Sequence, residues 1–289
     1  MIPPQLLERL PLLLDGRPGD WLRLRHPDAR APIEALNLSR PDWVREAHRA
    51  FFAGGARALR TNTHAASALA LAAHGLEERC EAVNGSGAAC VREAVGRQAV
   101  VLGAIGEVGP PGAPGLSDAD RARAYGQLAV YLSDLGCDAV LLDEFHSVAE
   151  CLAVLRAVRS AGDAPVLAAL AVTAGGRSGD GLALARAAER LAGAGMDAIG
   201  LVFGCAAAWD RGLVEEVRAC GLPLAILQHA RALAPAGRPP GAEDGPPLHP
   251  AAFAERLAPF GDGSAILLGG GAGATPAHIA ALADRLRRG

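Results

Sequence analysis

The stretch Leu267-Leu268-Gly269-Gly270-Gly271-Ala272-Gly273-Ala274-Thr275-Pro276-Ala277-His278-Ile279 decides how the chain is read. A short apolar run stops at a glycine-rich turn. Thr275 and Pro276 then stand where a helix wants its N-cap and its first residue. Working back from this strand, loop and helix, apolar runs of strand length recur. They lie at Leu12 to Asp15, Ala56 to Asn62, Ala99 to Ile105, Asp138 to Asp143, Pro165 to Val172, Asp197 to Phe203, Leu222 to Leu227 and Ser264 to Leu268. Helix-like segments are expected around Pro41 to Ala53, Ala65 to His74, Cys90 to Gly96, Ser117 to Gly136, Ser147 to Ala161, Gly181 to Ala194, Trp209 to Cys220, Pro250 to Phe260 and Pro276 to Arg287. The strands are continuously apolar, so both faces of the sheet should be covered, which implies parallel strands with helical crossovers. Eight such units read as a (β/α)8 TIM barrel forming a single domain over residues 1–289. A doubly wound open sheet has the same periodicity.

Two segments interrupt the rhythm. Gly16 to Ser39 is long for a loop and is expected to cover one mouth of the barrel. Residues 231–249 carry Pro235, Gly237, Pro239, Pro240, Gly241, Gly245, Pro246 and Pro247 and read as a lid after the seventh strand.

A chain of 289 residues that is 51% hydrophobic can bury a large core. A net charge of -3 and 4% aromatic residues argue against a nucleic-acid surface. Most arginines, such as Arg121, Arg123, Arg156 and Arg159, stand singly and read as solvated helix faces. No run is long enough to span a bilayer, and Met1-Ile2-Pro3-Pro4 does not open a signal peptide. Cys80, Cys90, Cys137, Cys151, Cys205 and Cys220 are widely spaced, as thiols of a cytoplasmic protein are expected to be. The final loop has no Gly-Lys-Ser/Thr and is not a P-loop, but its glycines and the helix after it could offer backbone N–H groups to an anion.

Several short motifs stand in register along the chain. They are Leu13-Leu14-Asp15-Gly16, Leu36-Asn37-Leu38, Pro41-Asp42-Trp43-Val44, Ala53-Gly54-Gly55-Ala56, Thr61-Asn62-Thr63, Val91-Arg92-Glu93-Ala94, Gly106-Glu107-Val108-Gly109-Pro110 and the final Gly-rich loop through Thr275, Pro276 and His278. Together they resemble the homocysteine S-methyltransferase family, which implies a barrel and methyl transfer to a small thiol or amino-acid-like acceptor such as homocysteine. In that family the final loop carries paired cysteines, two of three zinc-bound thiolates; here Gly271 and Ala272 stand in their place. Asp143-Glu144 stands where the family has Glu-Thr, and Gly204-Cys205 where it has Asn-Cys. By resemblance, Asp15 and Glu144 orient the acceptor's ammonium, and Asn62, Thr63 and Gly106 line its pocket. Cys205, with Glu144, is the catalytic candidate beside the reacting sulfur.

One thiolate does not hold zinc as three do, so an ordinary zinc site is not expected. The alternative metal set is His64, His146, Cys205 and His229, each at the C-terminal end of a strand, where barrel side chains converge. Otherwise each histidine is a separate rim residue. The methyl donor is left open between S-methylmethionine, S-adenosylmethionine, betaine, and a methylated folate or corrinoid. No cobalamin-binding segment is read here, so a corrinoid would come on a partner protein. Two rival functions remain, a metal-free amino-acid-binding protein and a barrel enzyme re-purposed around the His/Cys set.

Overall fold

In the computed structural model the described residues are 11–29, 32–107, 117–173, 175–205, 211–231 and 247–288. Eight parallel strands close in sequence order into a barrel. They are β1 (Leu12–Leu14), β2 (Ala58–Arg60), β3 (Val100–Ile105), β4 (Ala139–Phe145), β5 (Val166–Val172), β6 (Ala198–Phe203), β7 (Leu224–Gln228) and β8 (Leu267–Gly270). Closure is made where Leu12, Leu13 and Leu14 pair with Leu267, Leu268 and Gly269. All eight expected strands are present, so the closed barrel holds and the open sheet does not.

Eleven helices are described: α1 (Pro18–Arg25), α2 (Leu36–Ser39), α3 (Pro41–Ala53), α4 (Ala68–Ala72), α5 (Cys80–Val95), α6 (Asp118–Asp134), α7 (Val148–Ala161), α8 (Leu184–Gly193), α9 (Arg211–Arg218), α10 (Pro250–Leu257) and α11 (Pro276–Arg287). Two differ from the sequence reading. The expected loop from Gly16 to Ser39 contains α1 and α2. The helix expected from Cys90 begins ten residues earlier, at Cys80. Its first half, Asn84-Gly85-Ser86-Gly87, has poor helix propensity, but tertiary packing holds it. A Cβ on Gly87 would lie 2.7 Å from Asn37 Nδ2 and 2.8 Å from Thr63 Cγ2. The helix therefore needs glycine there to approach the site. Most of the expected lid, residues 232–246, lies outside the described residues.

Side-chain alternation divides the core in two. Leu13, Leu59, Val101, Val140 and Leu142 face the helices. Leu12, Leu14, Ala58, Leu102, Leu141 and Leu227 fill the barrel interior. A period of two then places Arg60 and Asp143 inward, above the apolar layers. Arg60 is 1% exposed. Its Nε donates to Asp143 Oδ1 at 3.1 Å, Nη1 to Asp15 Oδ1 at 3.0 Å and to the Asp15 carbonyl at 2.7 Å, and Nη2 to the Gly270 carbonyl at 3.0 Å. The Arg60 backbone N–H also donates to Asp15 Oδ2 at 3.1 Å. One side chain thus ties the ends of β1, β2, β4 and β8.

A single guanidinium serves two buried carboxylates here, and they fare differently. Burial pushes Asp15 up to about 7, against the pull of Arg60. Burial opposes ionisation of Asp143 as well, but Arg60, the neighbouring His64 and the charge of Arg17 outweigh it and hold Asp143 well below the ordinary carboxylate range.

Replacing Arg60 with Met should cost about 3–5 kcal/mol in denaturant unfolding, because Asp15 and Asp143 lose their buried partner. Asp15 also sets a pH dependence. Its folded value lies above its unfolded one, so between about pH 4 and 7 Asp15 holds its proton more in the folded chain than in the unfolded one. Its stabilising contribution is therefore full below about pH 4 and lost as pH rises to 7. His48, pushed down to about 3 by burial, acts with opposite sign over part of that window. The measurement is accordingly a comparison: the stability of the natural chain relative to Asp15→Asn should fall as pH rises from 4 to 7.

Candidate functional site at the barrel mouth

The site is built by an irregularity in β4. Leu142 pairs with Ala168 and Phe145 with Leu170, three residues against two, so β4 carries a bulge. Glu144 sits in it with φ 67°, the one non-glycine residue in the left-handed region among the described residues. The extra residue turns Glu144 toward the mouth beside Asp143 rather than out toward the helices. Such backbone conformations are costly and cluster at functional sites.

Around the two carboxylates stand Arg17, His64 and His229, and Arg17 reaches both acids. Arg17, in the β1–α1 turn, donates from Nη1 to Glu144 Oε2 at 3.0 Å and contacts His64 Nε2 through Nη2 at 2.6 Å. Its Nε is 3.9 Å from Asp143 Oδ2. His229 Nε2 lies 2.9 Å from Glu144 Oε1, ion-pair distance without hydrogen-bond alignment. Burial opposes the Glu144 charge, but His229 and Arg17 outweigh it and lower its pKa.

The remaining expected site residues lie at the same end of the barrel, and each is engaged within the chain. Asn62 donates to Asn37 Oδ1 and to the Ile33 carbonyl, which anchors the β1–α2 segment over β2. The Thr63 hydroxyl donates to the Ala104 carbonyl. Gly106 gives its N–H to the His64 carbonyl, and the His64 ring covers it so closely that a Cβ would lie 2.4 Å from Nε2. His146 turns aside: Nδ1 is 3.0 Å from Glu107 Oε2, and its side chain is 51% exposed. The hydrogen bond to Glu107 raises its pKa against the effect of burial. Cys205 is half-buried and donates from Sγ to the His229 carbonyl at 3.2 Å, and burial pushes its pKa up. The final loop is closed as well: Gly273 donates to Asp20, and Thr275 and His278 cap the start of α11 reciprocally. Val108 and Gly109 lie outside the described residues.

A three-thiolate zinc site does not fit these residues. Gly271 and Ala272 carry no ligand, and the room at 271 is taken, since a Cβ there would lie 2.2 Å from His229 Cδ2. His64, His146, His229 and Cys205 each have a different partner. Among the described residues no group of three or more His, Cys, Asp and Glu side chains is placed to hold a metal ion.

Arg17 and Arg60 went unnoticed in the sequence, where single arginines read as solvated. The signal that finds Arg60 is strand parity: Ala58 faces the barrel interior, so Arg60 must too. A cavity of about 120 Å³ opens beside them, bounded by Arg17, Arg23, Arg60, His64, Asn62 and Asp143 among others. No helix among the described residues is long and apolar enough to cross a membrane.

Comparison with known proteins agrees with this architecture. The chain is 31% identical over 266 residues to methionine synthase of Mycobacterium tuberculosis, covering 85% of this chain. It is 28% identical over 271 residues to methionine synthase of Mycobacterium leprae. The chain spans 22% of the length of each of these relatives. Among solved structures, the metallated form of the Escherichia coli homocysteine methyltransferase MmuM superposes with a TM-score of 0.79 at 21% identity, with 98% of each chain covered. The apo form of the same enzyme gives 0.72 at 22% identity, covering 97% of each chain. With the homocysteine S-methyltransferase profile matching residues 12–286, the chain belongs to the homocysteine S-methyltransferase family.

Proposed function

We propose that this barrel transfers a methyl group to a small thiol or amino-acid-like acceptor held at the C-terminal mouth, homocysteine being the acceptor named in its relatives. The observation that carries this reading is the family match over nearly the whole chain, joined to a polar cavity at the strand ends where barrel enzymes do their chemistry. In this reading Glu144 and Cys205 are the catalytic candidates, with Cys205 beside the reacting sulfur. Asp15, Asn62, Thr63 and Gly106 shape the acceptor's side of the pocket. The donor is a separate small molecule or a corrinoid or other methyl-carrier protein. Six free cysteines among the described residues are in keeping with a cytoplasmic location.

We propose further that the reaction runs without the family's zinc. The family's ligand set is reduced to one thiol, and the His229 ring fills the space of a lost ligand. The loss of two thiolates also favours a second reading, a metal-free amino-acid-binding protein.

Elemental analysis of the purified chain should find well under one equivalent of zinc, before and after incubation with the metal. A full equivalent that disappears in Cys205→Ala would overturn the metal-free reading. Methyl transfer to homocysteine from at least one donor class separates the enzyme from the binding protein, which would bind the acceptor and leave it unchanged. Gly271 and His229 should also be coupled in stability: Gly271→Ala is expected to cost about 1–3 kcal/mol by overpacking, and clearly less in a His229→Ala background. Equal costs in both backgrounds would mean that the ring does not hold that space.

A further inference from the structure

The carboxylates at the mouth each already face a donor or cation of this chain, although Glu144 Oε1 accepts no aligned hydrogen bond. Both oxygens of Asp15 accept from Arg60, as does Oδ1 of Asp143. Glu144 faces Arg17 through Oε2 and His229 through Oε1. In the cavity wall, Glu34 accepts from the Ala65 N–H at 3.0 Å and Asp20 from the Gly273 N–H at 3.1 Å. An arriving ammonium therefore meets acids that have partners, and reaching Glu144 means breaking a largely buried ion pair.

Arg17 is placed differently. An arginine only donates, so His64 Nε2 must accept from it. The His64 proton is then on Nδ1, which faces Asp143 Oδ2 at 3.5 Å. Glu144 and His64 thus fix the guanidinium plane from two sides. Among the described residues they use two of its five N–H groups, and the Arg17 side chain, 18% exposed, borders the open cavity. A planar fork held rigid beside a small cavity is matched by a carboxylate.

We propose that Arg17 selects the acceptor by its carboxylate, so that the substrate class is a thiol carboxylic acid whose ammonium, if it has one, adds nothing to binding. This rests on the thiol-acceptor reading above, and the test separates the two. Calorimetry would compare homocysteine with 4-mercaptobutyrate, which lacks the amine, with 3-aminopropane-1-thiol, which lacks the carboxylate, and with butyrate, which lacks both the amine and the sulfur. The two thiol acids should bind about equally, and the amino thiol at least about tenfold more weakly. Arg17→Gln should weaken both acids about 10- to 100-fold, the range of a charge-assisted hydrogen bond, and leave the amino thiol unchanged. Arg17→Lys, which keeps the charge without the fork, should fall between, and thermal melting establishes that both variants fold. An amino thiol that binds as tightly as homocysteine, or an Arg17→Gln chain that binds homocysteine more tightly because its ammonium takes the vacated Glu144, overturns the proposal. Butyrate that binds as well as the thiol acids and is lost in Arg17→Gln upholds the role of Arg17 and removes the thiol reading. Thiol acids that bind independently of Arg17 do the reverse.

Discussion

The guanidinium of Arg60, buried at the top of the barrel interior, is the interaction on which the mouth depends. An isolated charge there would be untenable. It is tolerated because Asp15, Asp143 and the Gly270 carbonyl surround it, each from a different strand. Pairs of this kind contribute little net stability compared with apolar packing, but losing one partner is expensive. What the arrangement provides is placement: the ends of β1, β2, β4 and β8 are held in one register, and two carboxylates are fixed before any ligand arrives. The bulge in β4 then sets Glu144 next to Asp143. Arg17 and His229 complete the set from the β1 turn and the end of β7.

This network bears on the departure from the family pattern. Where paired cysteines are expected, the backbone is Gly271-Ala272, and the His229 imidazole lies in the room a side chain at 271 would need. That ring is in turn placed against Glu144. One imidazole, His229, thus links the packing at Gly271 to the pairing of Glu144. On this account the barrel scaffold is retained while its means of recognising an acceptor passes to arginine.

Much of the fold was legible in the sequence because strand and helix periodicity are local properties. All eight strands were located, and Pro41, Ser147, Pro250 and Pro276 marked helix starts closely. α1 was missed because Arg17 provides no side-chain cap and the helix has little amphipathic pattern. The true start of α5 was missed because Gly85 and Gly87 argue locally against a helix that tertiary contacts with Asn37 and Thr63 impose. Among the candidate site residues, Asp15, Glu144 and Cys205 could be named from motif register and His229 from its place after the seventh strand. Their partners could not, since hydrogen bonds such as Arg60 to Gly270 join residues 210 positions apart. Strand parity held the missing information for Arg60; nothing local held it for Arg17.

A crystal structure grown with homocysteine and zinc both in excess tests the central claim most directly. It should show Arg60 still bridging Asp15 and Asp143, the ligand's carboxylate on Arg17, and no metal at Cys205. A zinc ion bound to Cys205 and the ligand's sulfur, with His229 swung away from Gly271, would contradict it.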